Sequence, residues 1–411
     1  MMKKLYVCVV ILLTGAASLW ADLPPRVFEI GFNGGGGFAN NYLGAADVFK
    51  KTVVIDLTAE PEPLYIDFSG DFDFFINLNI KDQMGFGVFS NVDVLGQFSL
   101  SKDIQDFLQG NELNKTYEGD IGIGAAAFVE AGAHGYFNIK KFRIAVRPAY
   151  FLPLAYMKPD AHYTIRTGSA GDVYVDFEYN MAVYTPFEMR DTGGGIADIL
   201  DNTTISPTSL TGRGGFDLTA GVDYPLLPNL TVGATITHIP IFPALLTNKA
   251  VISGGKQLNS QDMLDDLING GGLEDLLKDR TVESSHGDLQ VFRPFKFGVN
   301  AVYTPFKHKL YALALIPRIG YAYNAIYLKP HSFEGSIAAR LGLFNVSRSN
   351  AVLAFTVSSG YEDKVWKQGA GLTLNFRAVQ IDIGVASQSE HIGKSFTGAG
   401  LEVALGMCFG W

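Results

Sequence analysis

The chain has 411 residues, of which 47% are apolar and only 18% are charged, against the roughly 25% of charged residues in an average soluble protein. Its formal net charge of −9 argues against a nucleic-acid partner, which requires a basic surface. Of the two cysteines, Cys8 lies in a predicted leader and only Cys408 lies beyond it, which excludes a disulfide scaffold and a multi-cysteine metal site.

The first 21 residues have the pattern of a cleaved secretory signal peptide. Lys3 and Lys4 precede an uncharged stretch that ends at Ala21, just before Asp22. A basic start, an apolar centre and a small final residue are the three parts of such a leader, and the stretch is short for a spanning helix. We therefore predict secretion with removal of residues 1–21.

Residues 22–57 form the next unit, and most of it lacks the pattern of an ordinary strand. A possible first strand lies at residues 26–32, but four consecutive glycines follow. No Gly-Lys-Ser/Thr sequence follows them, which argues against a phosphate-binding loop. We predict that this segment is a plug, or hatch, folded into the rest of the molecule. Its predicted plug and substrate-binding residues are Gly34, Gly35, Gly36, Gly37, Phe38, Asn40, Asn41 and Tyr42.

From residue 58 to residue 411, the dominant pattern is an alternation of apolar and polar residues. In residues 64–80 the even positions are apolar or glycine, and most odd positions are acids, amides or serine. Successive side chains of a strand point to opposite faces, so this alternation predicts strands with one apolar and one polar face. We predict an all-β, antiparallel transmembrane barrel of about 14 strands, within a range of 12 to 16.

One long uncharged stretch, residues 224–248, is a poor helix. It contains Pro225, Pro228, Pro240 and Pro243, and each interior proline costs a helix about 3 kcal/mol. Strands with proline-marked ends are predicted there instead.

Three segments have helical rather than extended patterns. Residues 101–108 begin with a capping serine and place Ile104, Phe107 and Leu108 on one face, and residues 195–200 form a shorter candidate. Residues 260–280 carry two apolar faces separated by glycines, within a predicted long loop at residues 245–287. Because long loops are commonly functional, we expect this loop to pack over the barrel mouth.

The last strand ends in an aromatic residue. Counted back from the terminus in steps of two, residues 399–411 are all apolar on one face, whereas the other face is small apart from Glu402. This pattern suits a strand that closes a barrel in lipid. We predict that Phe409 and Trp411 form the insertion signal read by the barrel-assembly machinery.

The alternation also assigns charged residues to the lumen, since charge facing lipid costs about 2–4 kcal/mol at mid-depth. An acidic wall offers little to a carboxylate substrate, and neutral or zwitterionic lipophiles fit such a lumen equally well. The predicted lumenal charges are Asp67, Asp71, Asp73, Asp172, Asp176, Glu178, Asp217, Asp382, Arg143, Arg147 and Arg340.

No catalytic pattern is evident. None of the seven histidines pairs with another at metal-ligand spacing, and no zinc-protease motif is present. We expect no enzyme activity, no metal and no cofactor.

Together, these features resemble the long-chain fatty acid transporter (FadL) family of outer-membrane proteins, in the divergent form found in spirochaetes. The resemblance rests on the leader, the Gly- and Asn-rich segment, the strand number, the helical inserts and the aromatic terminus. It implies a 14-stranded barrel plugged by its N-terminal segment, with sideways release of hydrophobic molecules at a kinked strand. The family's Asn-Pro-Ala hatch element is replaced by Asn40–Asn41, so its gate residues are not carried over.

Candidate kinks are Gly96, Pro148 and Pro153, because proline cannot donate a hydrogen bond to a neighbouring strand. The alternative is that both prolines lie beyond the lipid at strand ends.

The leading functional hypothesis is passive transport of long-chain fatty acids or other hydrophobic small molecules. A water-filled porin for small polar solutes and a structural or adhesive surface barrel are the alternatives. We expect an outer-membrane monomer, because a barrel pairs its own edges.

Overall fold

A computed structural model describes residues 26–41, 64–80, 83–110, 112–169, 172–187, 213–259, 281–308, 310–327, 330–343, 352–376, 378–397 and 400–410. The strands in these ranges are β1 (Phe28–Asn40), β2 (Leu64–Ile80), β3 (Met84–Leu100), β4 (Thr116–Ile139), β5 (Phe142–Thr167), β6 (Val173–Thr185), β7 (Gly215–Leu227), β8 (Leu230–Phe242), β9 (Ala244–Asn259), β10 (Thr281–Val291), β11 (Phe295–Lys307), β12 (Tyr311–Tyr323), β13 (His331–Leu343), β14 (Val352–Glu362), β15 (Val365–Phe376), β16 (Val379–Ser389) and β17 (Leu401–Gly410). Two helices are described, α1 (Lys102–Gly110) and α2 (Ile392–Ser395). No helix in these ranges is long and apolar enough to span a membrane.

Antiparallel pairing closes the sheet into a barrel. Pairing follows the chain from β1 to β5, passes from β5 to β7, β8 and β11, and then follows the chain to β17. Strand β17 pairs with β1, which completes a circuit of 14 strands. Connections of two residues join β4 to β5, β7 to β8 and β15 to β16 at one end of the barrel, and another joins β14 to β15 at the other end. We call the first of these the short-turn end and the opposite end the loop end.

Three further strands extend the barrel wall at the loop end. Strand β5 pairs with β7 through residues 143–151 and with β6 through residues 156–167. Strand β6 pairs with β9, and β9 pairs with β10. We call residues 156–167 of β5 together with β6, β9 and β10 the extension.

Strand β5 changes its partner from β7 to β6 where the extension begins. We call this height in the barrel the break level. Strand β8 ends one residue before β9, with Pro243 between them, and residues 292–294 separate β10 from β11. On the other side, the register of β4 with β5 shifts between Ala127 and Phe128, opposite Pro153. A proline has no N–H group to donate to a neighbouring strand, which explains why these interruptions carry prolines.

Apolar side chains cover the outer face of the barrel, as the alternation predicted. Phe72 is 52% exposed and Ile319 is 68% exposed. Their sequence neighbours Asp73 and Arg318 point the opposite way and make ion pairs in the lumen. Isolated exposed apolar residues are normal, but such a continuous band on a soluble protein is not.

The structure corrects several sequence-based boundaries. The described residues contain 17 strands in all, more than the predicted number of about 14, because β6, β9 and β10 form the extension in addition to the closed circuit. Strands β9 and β10 overlap the two ends of the predicted loop at 245–287. The barrel begins at Phe28 rather than at residue 58. The helix predicted at residues 101–108 is confirmed as α1. The predicted leader, the helices at 195–200 and 260–280, and Trp411 lie outside the described residues.

Candidate lumenal site

A network of buried charges lies in the lumen at the break level, centred on Arg293. This residue lies between β10 and β11 and is 5% exposed. Its Nε lies 2.7 Å from Asp217 Oδ2, and its Nη2 lies 2.9 Å from Asp217 Oδ1. The same Nη2 lies 2.5 Å from Glu130 Oε2. The bidentate geometry toward Asp217 is the strong form of an arginine–carboxylate pair.

Arg147 supplies the second cation of this network. Its Nη2 lies 3.0 Å from Glu130 Oε1 and 3.4 Å from Asp73 Oδ1. Its guanidinium also lies 3.6 Å from the centre of the Phe89 ring. Glu130 therefore bridges two arginines, and the network joins β2, β4, β5 and β7 to the connection before β11.

Part of the hydrogen-bonding capacity at this height is unused. Arg293 Nη1 has no hydrogen-bond partner among the described residues, and Asp93 Oδ2 lies 3.9 Å away. Two buried side-chain oxygens on the same face of β3, Asn91 Oδ1 and Gln97 Oε1, also lack a described partner. The network contains four carboxylates (Asp73, Asp93, Glu130 and Asp217) and two arginines, a formal charge of −2.

A buried apolar cluster borders the charged network. We call it the lumenal apolar cluster, and it comprises Ala126, Phe128, Phe151, Tyr156, Ala244, Leu246, Val291 and Ile326. Phe128 and Phe151 pack edge-to-face with ring centres 6.3 Å apart. Arg293 lies 5.3 Å from the centre of the Phe151 ring, so the apolar and charged layers are in direct contact. Phe128 is on the same face of β4 as Glu130, which places the cluster inside the barrel.

The described first part of the connection between β12 and β13 reaches across the lumen. We call residues 324–327 the inner loop. It is held by a hydrogen bond of 2.8 Å from Asn324 N to Pro330 O and by one of 3.1 Å from Ile326 N to the Asn324 side chain. Ile326 packs in the lumenal apolar cluster, and Tyr327 lies beside Asp67 of β2. The inner loop therefore obstructs the lumen.

A second set of ion pairs lies nearer the loop end. Lys296 Nζ lies 3.2 Å from Glu334 Oε1 and 2.5 Å from Asp363 Oδ1. Lys367 Nζ lies 2.7 Å from Glu402 Oε2. These pairs join β11 to β13 and β15 to β17 on the side of the lumen opposite Glu130.

The structure corrects the predicted plug. Gly34 to Gly37, Phe38 and Asn40 lie in β1, which pairs with β17 on one side and β2 on the other. They are therefore part of the barrel wall. Asn41 follows the strand, and its side chain accepts a hydrogen bond of 2.9 Å from Tyr65 N. Tyr42 lies outside the described residues.

The three kink candidates occupy different environments. Gly96 pairs with Phe68 and Ala125 in uninterrupted register, so no break occurs there. Pro148 lies within the β5–β7 pairing, whereas the pairing of β5 with β4 skips from Ala149 to Val146. Pro153 lies at the bulge at the break level.

The other predicted positions divide between lumen and extension. Asp67, Asp73, Asp217 and Arg147 point into the lumen and make the contacts described above. Lower in the barrel, Asp382 accepts hydrogen bonds from Thr373 and Gln380. The predicted lumenal acids Asp172, Asp176 and Glu178 instead lie in or just before β6 of the extension. Phe409 is exposed on β17.

Sequence reasoning missed the residues that organise this site. The predicted site residues do not include Arg293, Asp93, Glu130 or Ile326. Glu130 carried a usable signal, because it is the sole charge within the apolar and small residues of β4 from 121 to 133. Arg293 and Ile326 lie outside strands, where alternation gives no information. No group of three or more metal-ligating side chains occurs in the part of the chain that the structure describes.

Comparisons with known proteins give similarity in structure but not in sequence. No protein-family model matches the sequence, and no curated protein sequence matches it. The toluene transporter TodX of Pseudomonas putida is 8% identical, with a TM-score of 0.46 over 98% of this chain and 96% of that one.

Two further solved structures are similar over comparable lengths. A Pseudomonas aeruginosa FadL homologue is 11% identical, with a TM-score of 0.41 over 98% of each chain. The toluene transporter TbuX of Ralstonia pickettii is 7% identical, with a TM-score of 0.44 over 97% of this chain and 94% of that one.

Proposed function

We propose that this protein is an outer-membrane barrel that passively transports long-chain fatty acids or other hydrophobic small molecules through its lumen. The observation that carries the proposal is the lumenal apolar cluster, which lies inside a barrel whose lumen is otherwise strongly charged. A water-filled pore has no need of an apolar layer across its interior. A lipophile gains about 25 cal/mol for each Å² of apolar surface that it removes from water.

The outer surface supports a membrane location. A band of exposed aromatic and aliphatic side chains surrounds the barrel, and its strands leave no unpaired edge in the closed circuit. Both features suit a protein that crosses a bilayer on strands. In this proposal the leader directs secretion, the barrel-assembly machinery reads the terminal aromatic residues, and the monomer is the active unit.

The inner loop provides a route for ligand binding. Ile326 is 8% exposed and fills the lumenal apolar cluster from the side of β12 and β13. Displacement of this side chain would leave space for part of a hydrocarbon chain among Phe128, Phe151 and Leu246. Few of the hydrogen bonds between described residues involve the inner loop, so we expect its movement to cost less than separating paired strands.

Binding of pyrene-decane and of a pyrene-labelled fatty acid to folded protein in detergent tests the proposal. Ile326→Asp places a charge in the cluster, and we expect it to weaken saturable binding at least about tenfold. Ile392→Asp is the matched control, because Ile392 in α2 is 50% exposed and we expect unchanged binding. Failure of both probes to bind the folded wild-type protein would contradict the proposal.

The charged network favours a second candidate function, diffusion of small polar solutes. Buried ion pairs and polar walls are what an aqueous pore presents to its contents. Planar-bilayer recordings distinguish the two. Stable conductance steps in the wild-type protein, together with no lipid binding, would favour the porin.

A further inference from the structure

Where the lumenal apolar cluster meets the Arg293 network, a hydrogen-bond donor and an acceptor lie close together but leave a gap between them. Arg293 Nη1 and Asp93 Oδ2 are 3.9 Å apart, beyond the roughly 3.2 Å limit of a normal hydrogen bond. Nη1 has no described hydrogen-bond partner. Buried polar groups are nearly always satisfied, so such a gap requires an explanation.

The two atoms define what can fill this gap. A guanidinium nitrogen only donates hydrogen bonds, and an ionised carboxylate only accepts them. A bridging group must therefore accept from Arg293 and donate to Asp93. An oxygen about 2.8 Å from both atoms satisfies ordinary hydrogen-bond geometry. A hydroxyl does both, whereas a carboxylate cannot donate and an ammonium cannot accept.

We infer that the lumenal site takes uncharged amphiphiles with a hydroxyl head group in preference to carboxylates. The hydroxyl bridges Arg293 and Asp93, and the hydrocarbon chain lies in the lumenal apolar cluster. This inference rests on the proposed function and specifies its substrate class. The formal charge of −2 in the network further disfavours an anionic head group.

An independent observation on β3 also indicates a hydrogen-bond donor. Gln97 is 6% exposed, and its Oε1 lacks a described partner. Gln97 lies on the same strand face as Asp93 and as Leu95, which packs against the lumenal apolar cluster. Asn91 Oδ1, on the same face, also lacks a described partner. This row of acceptors suits a ligand that donates hydrogen bonds rather than one that only accepts them.

Competition against bound pyrene-decane tests the inference, because this probe has no head group and reports on the apolar cluster alone. The competitors are dodecanol, dodecanoate and dodecylamine at neutral pH, with purified full-length protein in an uncharged detergent. We expect dodecanol to displace the probe at least about tenfold more effectively than dodecanoate, the effect of one well-placed hydrogen bond together with charge repulsion. We expect dodecylamine to fall behind dodecanol despite the negative network, because an ammonium cannot accept a hydrogen bond from Arg293. Displacement by dodecylamine equal to that by dodecanol would overturn the hydroxyl bridge.

Variants of Asp93 identify the site of this preference. Asp93→Ala removes the acceptor. We expect the ratio of probe displacement by dodecanol to probe displacement by dodecanoate to fall to near one. Asp93→Asn keeps an acceptor but removes the charge, so dodecanoate should bind more tightly and dodecanol should change little. Asp382→Ala is the control, because Asp382 lies in the lumen but pairs with Thr373 and Gln380, and its ratio should match wild type.

The outcomes separate the inference from the proposed function. Absence of pyrene-decane binding would contradict the proposed function itself. Probe binding with equal or better displacement by dodecanoate would overturn only the head-group inference. An unchanged ratio in both Asp93 variants, with folding confirmed by gel mobility, would also overturn it and leave water as the bridging group.

Discussion

Arg293 shows at the scale of single residues how the lumen combines two opposing layers. Its guanidinium contacts two carboxylates on one side and the Phe151 ring on the other. Burying these charges costs free energy that the mutual attraction offsets only because the geometry is bidentate. These ion pairs therefore add little net stability. They fix the height in the lumen at which charged side chains are replaced by apolar ones.

Removing this cation alone should be strongly destabilising. In Arg293→Met, Asp217 loses its bidentate partner and Glu130 keeps only Arg147, so we expect a loss of about 3–5 kcal/mol in the free energy of unfolding. Arg166→Met is the matched control, because Arg166 is exposed in the extension, and its effect should stay within about 0.5 kcal/mol. Urea unfolding followed by tryptophan fluorescence measures both. Equal stability of the two variants would show that the buried pairs are not formed.

Individual elements differ in how far the sequence predicts them. The alternation in β2 predicts this strand with the bounds that the structure has, Leu64–Ile80. Strand β1 has no such signal, because its four glycines present no side chain to either face. Strands β9 and β10 carry polar residues on exposed positions of the extension, so the segment that contains them resembled a loop. The lumenal site was missed for a related reason, since Arg293 and the inner loop lie between strands.

The glycines of β1 provide a test of its position in the wall. A Cβ atom on Gly37 would lie 2.9 Å from Glu402 Cβ and 3.0 Å from Glu402 Cα, a clash with β17. We therefore expect Gly37→Ala to destabilise the barrel by about 1–3 kcal/mol. The measurement is the temperature at which the folded, fast-migrating form is lost on gels.

Gly36→Ala is the neighbouring control for this change. The nearest atom to its added Cβ would be Ser69 O at 3.5 Å, an ordinary contact. We expect a change within about 0.5 kcal/mol, since alanine in a strand is slightly favoured over glycine. If Gly37→Ala were as well tolerated as Gly36→Ala, β1 would not be packed against β17.

At the scale of the whole molecule, the barrel is obstructed from within. The inner loop reaches from β12 and β13 to β2 and β4, and the two sets of ion pairs lie on opposite sides of the lumen. The predicted obstruction was an N-terminal plug, whereas the described part of that segment lies in the wall. The charged network and the lumenal apolar cluster share one lumen because they occupy adjacent heights. A strand-by-strand analysis of the sequence does not predict this arrangement.

Conductance provides a test of this obstruction. We expect the wild-type protein in a planar bilayer to give little steady ionic current, because the inner loop fills the lumen at the break level. Replacing residues 325–327 by glycines removes Ile326 and Tyr327 and should produce frequent, larger current steps. Replacing the exposed pair Lys140 and Lys141 of the β4–β5 turn by glycines is the control. Large wild-type currents that the inner-loop replacement does not change would place the ion path elsewhere.

Photolabelling is the measurement that tests the central claim most directly. A long-chain alkane with a diazirine group is bound to the folded protein in lipid vesicles, and the sample is irradiated. The sites at which the alkane becomes attached are then mapped by peptide mass spectrometry. The account predicts labelling of lumenal residues such as Phe151, Leu246 and Ile326, competed by excess unlabelled lipophile and lost in Ile326→Asp. Labelling confined to outward residues such as Phe72, Val88 and Ile319, without competition, would contradict it.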